Sequence, residues 1–330
     1  MKKTALLSIS FLIIAVISVG TAFGQKTVKI RYGHVAPPIH TQHIAATFFK
    51  KYVEANSDGR IEVSVYPSGQ LGGERVLAES IQAGTLDMSG LTAAVLTNFV
   101  PEAALLNLPF FFPDKDSYQR VCDSEVGWKI KRAFEKKGYK LLGFKANGYR
   151  DFGNNVKPIQ TPEDLKPLKI RSIESPLFID AYNALGNKPV PLPFPEVHSA
   201  LQQGVVDGID LHISGMWMAK IPVKYITMSG WIYSSVLAVI NKGLFDRLPP
   251  DLQRIVLDGS FEETAVHMGT LAQQEFDAVS GLKEKGVKIN VLTPNEKKAF
   301  IERMKPVYDK WREKIGADLF DQAVKIIQAE

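Results

Sequence analysis

The sequence predicts an α/β fold built on parallel strands and divided into two lobes of like construction. Three observations carry that expectation: a strand, helix, strand unit near the start, a recurring junction of helix, glycine and strand, and a short internal repeat. Val28, Ile30 and Tyr32 alternate as strand residues do. Ile44, Phe48, Phe49, Tyr52 and Val53 then share one helical face before Gly59, and Ile61, Val63 and Val65 alternate again. Two strands joined by a helix within about 40 residues form a βαβ unit, which requires parallel strands with a helix over one face.

The alternation continues. A helix over residues 74–82 ends at Gly84 and feeds a strand at 86–91, and another over 125–136 ends at Gly138 and feeds 139–146. Thr161 stands three residues before Asp164, as a helix N-cap does before its acidic partner. Ile81-Gln82-Ala83-Gly84-Thr85-Leu86-Asp87 and Leu201-Gln202-Gln203-Gly204-Val205-Val206-Asp207 are alike, 120 residues apart, which suggests two similar lobes. From Trp231 to Ile240 the chain is β-rich. A helical stretch from Pro249 to Lys285 follows, long enough to lie across both lobes, with Gly259 as its candidate kink.

Composition narrows the function classes. The chain has 330 residues, 45% of them apolar and 23% charged, and a net charge of +5, the profile of a packed, water-exposed body. A single Cys excludes an internal disulfide framework and Cys-rich metal sites, leaving Cys122 to be read as a small buried hydrophobe. Lys2 and Lys3, the apolar stretch from Ala5 to Val19 and small residues up to Gly24 have the layout of a secretory signal peptide, residues 1–24, cleaved near Gly24. Removing it leaves a net charge of +3. No basic stripe with interleaved aromatics is present, so no nucleic-acid partner is expected.

Signatures for phosphate loops, dinucleotide folds, zinc proteases and serine-hydrolase elbows are absent. His34, His40 and His43 are close enough in sequence to invite a metal, but without a carboxylate or Cys beside them neither metal nor cofactor is expected. Asp207 reads as a junction residue like Asp87, which leaves Asp210 as the more interesting acid. Arg150 is placed just after the strand ending near Ala146, and Arg171 ends Leu168-Lys169-Ile170-Arg171. Ligands of open parallel sheets bind beyond the carboxyl ends of strands, so both guanidiniums are candidates to face one cleft and grip a carboxylate. The pattern alone favours surface arginines, or partners for an internal acid such as Asp151 or Glu174.

Several motifs taken in order resemble one family. They are Tyr66-Pro67-Ser68-Gly69-Gln70-Leu71-Gly72-Gly73-Glu74, Thr161-Pro162-Glu163-Asp164-Leu165 leading to Lys169-Ile170-Arg171, and Pro191-Leu192-Pro193-Phe194-Pro195-Glu196 followed by Gln203-Gly204-Val205-Val206-Asp207-Gly208. Together they are similar to the extracytoplasmic solute receptors of tripartite ATP-independent periplasmic (TRAP) transporters, in the dicarboxylate-receptor branch. The resemblance implies a periplasmic, two-lobed clamshell with a long helix spanning both lobes. It implies a non-catalytic, monomeric receptor that captures a small organic acid and hands it to membrane permease subunits. A binding protein of an ATP-driven importer, or an exported enzyme, is the alternative.

The resemblance further implies that Arg171 is the main bidentate partner of the ligand carboxylate, Arg150 a second contact and Phe194 a pocket aromatic. First-lobe groups near His34 and Thr92 would complete the shell, with Asn147 at the junction. Lobe I is expected to hold residues 26–147 and 237–276, and lobe II residues 148–236 and 277–330. One departure stands out: where many members carry Asp-Gly-Gln-Glu-Asn, this chain reads Asp207-Gly208-Ile209-Asp210-Leu211. A polar ligand contact is thus replaced by Leu211, which argues against sialic-acid-like and metal-assisted 2-oxoacid ligands. Asp210, His212 or Trp217 would supply different contacts there, although Trp217 fits ordinary core equally well.

Overall fold

Residues 27–329 are described by a computed structural model, and the signal-peptide expectation for residues 1–24 lies outside them. The described strands are β1 (Val28–Gly33), β2 (Ile61–Tyr66), β3 (Met88–Thr92), β4 (Tyr139–Asn154), β5 (Ile170–Ser172), β6 (Val190–Pro191), β7 (Gly208–His212), β8 (Tyr225–Asn241) and β9 (Lys288–Val291). They form one sheet in the order β2-β1-β3-β8-β4-β7-β5-β6, with β9 also pairing with β8. The α/β class expected from the sequence is what the chain adopts.

The sheet consists of two halves on a common spine. β2-β1-β3 is parallel and lies against residues 236–240 of β8, while β6-β5-β7 is parallel and lies against residues 150–154 of β4. Both halves have the same strand order around a central first strand. The internal repeat sits at equivalent places: Gly84 and Gly204 both adopt left-handed φ at the ends of their helices. Asp87 Oδ2 accepts the backbone N–H of Arg31 within β1, and Asp207 Oδ2 accepts that of Lys169 just before β5, so each aspartate ties its junction to a neighbouring strand.

One expectation needs correction, because the sheet is not wholly parallel. β4 and β8 run antiparallel through both halves, paired from Tyr139↔Asn241 to Asn154↔Tyr225. β4 does not stop near Ala146 but continues to Asn154, which puts Arg150 inside the strand. The register slips between Ala146 and Gly148, where Gly148 takes a φ of 81°. The bulge marks the passage from one half to the other. Trp231–Ile240 is buried throughout because its section of β8 is covered on both faces, which explains the unbroken apolar run.

The long helix Pro250–Glu284 has 35 residues, about 52 Å at 1.5 Å per residue. It is continuous through Gly259. A Cβ there would stand 2.8 Å from Val53 Cγ2, so the glycine permits close packing on helix Thr41–Asn56 and makes no break. Towards its other end the same helix packs Gly281 against Trp217 of the second half. A buried ion pair also ties it to the spine, with Lys145 Nζ 2.6 Å from Glu263 Oε1 and the Tyr32 hydroxyl donating to the same oxygen. Removing one member of such a pair typically costs about 3–5 kcal/mol.

Candidate solute site

A cavity opens between the two halves of the sheet, with about 550 Å³ of space not occupied by atoms, part of it open to solvent. Val35, His40, Gln42, Glu74 and Thr92 line it from the first half. Arg171, Ile173, Phe194, Leu211 and His212 line it from the second, and Asn147, Arg150 and Val236 from the spine. The two walls touch beside it. A Cβ on Gly73 would lie 3.0 Å from Pro193 Cβ and one on Gly69 2.7 Å from Pro195 Cγ, so these glycines let the Pro-rich loop of the second half close down. Thr97 and Ser175 share a hydroxyl hydrogen bond of 3.0 Å, and Asn98 Nδ2 donates to the Glu174 carbonyl at 2.7 Å. The jaw is shut.

Arg171 is 2% exposed, in the middle of the short strand β5. Its Nε and Nη2 donate to the Leu192 carbonyl at 2.9 and 2.7 Å, which locks the guanidinium and leaves the Nη1/Nη2 edge uncommitted. Among the described residues no carboxylate lies within ion-pair distance of it. Burial, then the nearby Arg150 charge, lowers its pKa from 12.5 to about 10, still well above neutrality. A charged planar donor edge is thereby held at the cavity without a counterion.

Arg150 is also buried, but it is neutralised. Its Nε pairs with Asp210 Oδ2, its Nη2 donates to the Asp210 carbonyl, and its guanidinium stacks over the Phe178 ring at 5.2 Å. Neither arginine is a surface residue, and the acid that serves Arg150 is Asp210. Asp151 instead accepts the backbone N–H groups of Ser229 and Gly230. Asp210 itself lies behind Arg150, fully buried.

Sequence reasoning passed over Glu74 and underused His40 and His212. Glu74 sits at the first turn of helix Glu74–Ala83, where its two carboxylate oxygens accept the Thr92 N–H at 3.0 Å and the Thr92 hydroxyl at 2.8 Å. Burial raises its pKa against the pull of those bonds and of Arg171 and Arg150. His40 and His212 each cap a helix, accepting at Nδ1 from Gln42 N–H and Gly215 N–H. Burial lowers the pKa of His40 to about 4 and that of His212 well below its ordinary value, so both rings are neutral near pH 7. Their rings are 5.6 Å apart, one contributed by each half of the cavity. The signal available in the sequence was their place immediately before a helix.

Of the other expected residues, Thr92, Asn147 and Phe194 reach the cavity, and Leu211 lines it as well. His34 lies behind the wall, its Nε2 3.1 Å from His43 Nδ1. Trp217 packs on the long helix outside the cavity lining, with Lys285 Nζ 4.3 Å above its ring. Among the described residues no group of three or more His, Cys, Asp or Glu is placed to hold a metal ion.

A closed cavity between two like half-sheets, holding a locked cation with an open donor edge, is the arrangement of a two-lobed solute-binding protein. Residues 32–314 match the family model of the bacterial extracellular solute-binding proteins, family 7, the DctP family, and the chain belongs to that family. Among relatives, it is 32% identical over 278 residues to the 2,3-diketo-L-gulonate-binding periplasmic protein YiaO of Escherichia coli, covering 84% of each chain. It is 32% identical over 313 residues to the C4-dicarboxylate-binding periplasmic protein DctP of Rhodobacter capsulatus, covering 92% of each.

Solved structures agree. The sugar acid binding protein of Advenella mimigardefordensis in complex with galactonate superposes with a TM-score of 0.88 at 25% identity, covering 92% of this chain and 98% of that one. A TRAP periplasmic solute-binding protein of Sulfurospirillum deleyianum with bound succinate gives 0.85 at 32% identity, covering 91% and 99%. The family read from the sequence motifs is thereby confirmed.

Proposed function

We propose that this chain captures a small organic acid in the closed cavity and delivers it, chemically unchanged, to the membrane subunits of a TRAP transporter. The observation that carries the reading is the buried Arg171 guanidinium, which has no carboxylate partner among the described residues while its neighbour Arg150 is already paired with Asp210. A ligand carboxylate seated on the free Nη1/Nη2 edge makes two charge-assisted hydrogen bonds and restores charge balance. Similar proteins bind galactonate and succinate, which supports a carboxylate ligand here.

The lobes are assigned as residues 26–147 with 237–276, and 148–236 with 277–330. Support comes from the bulge at Ala146 and Gly148, and from the change of neighbour along β8. Closure is favoured when ligand is present, because the ligand-bearing closed state alone pairs the buried cation. Export and cleavage near Gly24, a monomeric receptor and the absence of catalysis complete the proposal.

The test is a thermal-shift screen of the mature chain against sugar acids, dicarboxylates, hydroxy acids, aromatic acids and 2-oxoacids, followed by recovery of each hit. At a thousandfold excess over Kd a ligand adds about 4 kcal/mol of stability. An acid that raises Tm and is recovered intact supports the receptor. No response from any acid, or conversion of a hit, overturns it.

A further inference from the structure

Asn147 lies where the spine passes between the halves, and one of its amide atoms is 2.6 Å from His212 Nε2. Which amide atom that is follows from the rest of the network. Gly215 N–H donates to His212 Nδ1 at 2.9 Å, and the Ser214 hydroxyl is 3.2 Å from the same nitrogen. A nitrogen that accepts cannot carry the proton, and a neutral ring then carries it on Nε2. An amide nitrogen facing that Nε2–H would set donor against donor, so the carboxamide is turned with Oδ1 accepting from His212. The other amide position is buried and has no protein partner. In this orientation it is Nδ2, in a residue that lines the cavity.

His40 follows the same logic. Gln42 N–H donates to its Nδ1 at 3.1 Å, which puts the proton on Nε2, and that N–H has no partner among the described residues. The two helix caps, one in each half, therefore fix the polarity of the part of the cavity between them. It offers N–H donors, while Glu74, the only carboxylate among the described residues that line the cavity, has both oxygens engaged by Thr92.

We propose that Asn147, oriented by His212, is a specificity residue that donates to a second oxygen acceptor on the solute, apart from the carboxylate held by Arg171. This rests on the carboxylate-receptor reading and narrows it. The solute class is an acid bearing a hydroxyl, keto or second carboxylate group, and a ligand with an ammonium in that place is rejected.

Two measurements on the mature chain test it. Long-range nitrogen–proton correlation spectra of histidine-labelled, ligand-free protein should show His40 and His212 as Nε2–H tautomers, and an Nδ1–H tautomer of His212 overturns the orientation whatever the ligand. Calorimetry then compares wild type with Asn147→Leu, which removes the donor without adding charge. For malate, succinate and galactonate, whichever binds tightest should lose at least tenfold in affinity, and wild type should favour malate over aspartate at least tenfold. Retention of affinity within twofold, or equal binding of malate and aspartate, overturns the donor role. If neither these acids nor any acid of the wider panel binds wild type, it is the carboxylate reading that fails, and the tautomer spectra still decide the orientation.

Discussion

Arg171→Met separates binding from stability, because the same cation that attracts a ligand burdens the empty closed cavity. The fall of its pKa from 12.5 to about 10 corresponds to about 3 kcal/mol of cost for keeping the charge in the closed, ligand-free state. Opening the jaw returns water to the guanidinium and removes that cost, and a carboxylate removes it while leaving the jaw shut. Met has a similar reach and no charge. The variant should therefore populate the closed form more than wild type in the absence of ligand, measured as a smaller radius of gyration in solution scattering. It should also lose about 2–5 kcal/mol of binding to an acid, read by calorimetry, as loss of a buried charge partner does. Arg171→Lys should fall between, since an ammonium lacks the planar fork that meets the Leu192 carbonyl on one edge and both carboxylate oxygens on the other, and one lost charge-assisted bond is worth about 1.5–3 kcal/mol. Unchanged affinity in Arg171→Met, or an ensemble as open as that of wild type, would refute the reasoning.

Other perturbations address closure, packing and pH. Gly73→Ala sets a Cβ 3.0 Å from Pro193 Cβ where the lobes meet, at a position whose φ of −71° suits alanine. It should weaken ligand binding by about 1–3 kcal/mol with Tm of the ligand-free protein unchanged, and equal affinity by calorimetry would remove that contact from the closing mechanism. Gly281→Ala drives a methyl into the Trp217 ring. A loss of about 1–3 kcal/mol in denaturant unfolding, with the solute profile retained, is expected, whereas altered solute preference would put Trp217 at the ligand. Asp151 is buried, and that burial, only partly offset by the Ser229 and Gly230 N–H groups, raises its pKa to about 7, with Glu275 raising it and Lys297 lowering it further. Between about pH 4 and 7 the folded state then holds a proton that the unfolded state releases, so this residue's contribution to stability declines as pH rises. Asp151→Asn should flatten that decline in pH-dependent chemical denaturation, and an unchanged slope would contradict the assignment.

The sequence by itself determined the local architecture and the family. Alternation and glycine stops located strands and helices, and the repeat ending in Asp87 and Asp207 revealed two halves, because a βαβ unit is specified over a few dozen neighbouring residues. Ordered motifs located Arg171. Only the tertiary structure decided how the charges are shared. Asp210 rather than Asp151 neutralises Arg150, since strand pairing of β4 with β7 sets residue 210 across from residue 152 and brings its carboxylate to the guanidinium. Adjacency along the chain carries no such information. The same holds for the antiparallel spine, for Glu74 beneath Thr92 and for the turned amide of Asn147. Each depends on atoms brought together from distant segments, where burial strips away water and makes hydrogen-bond partners and counterions obligatory.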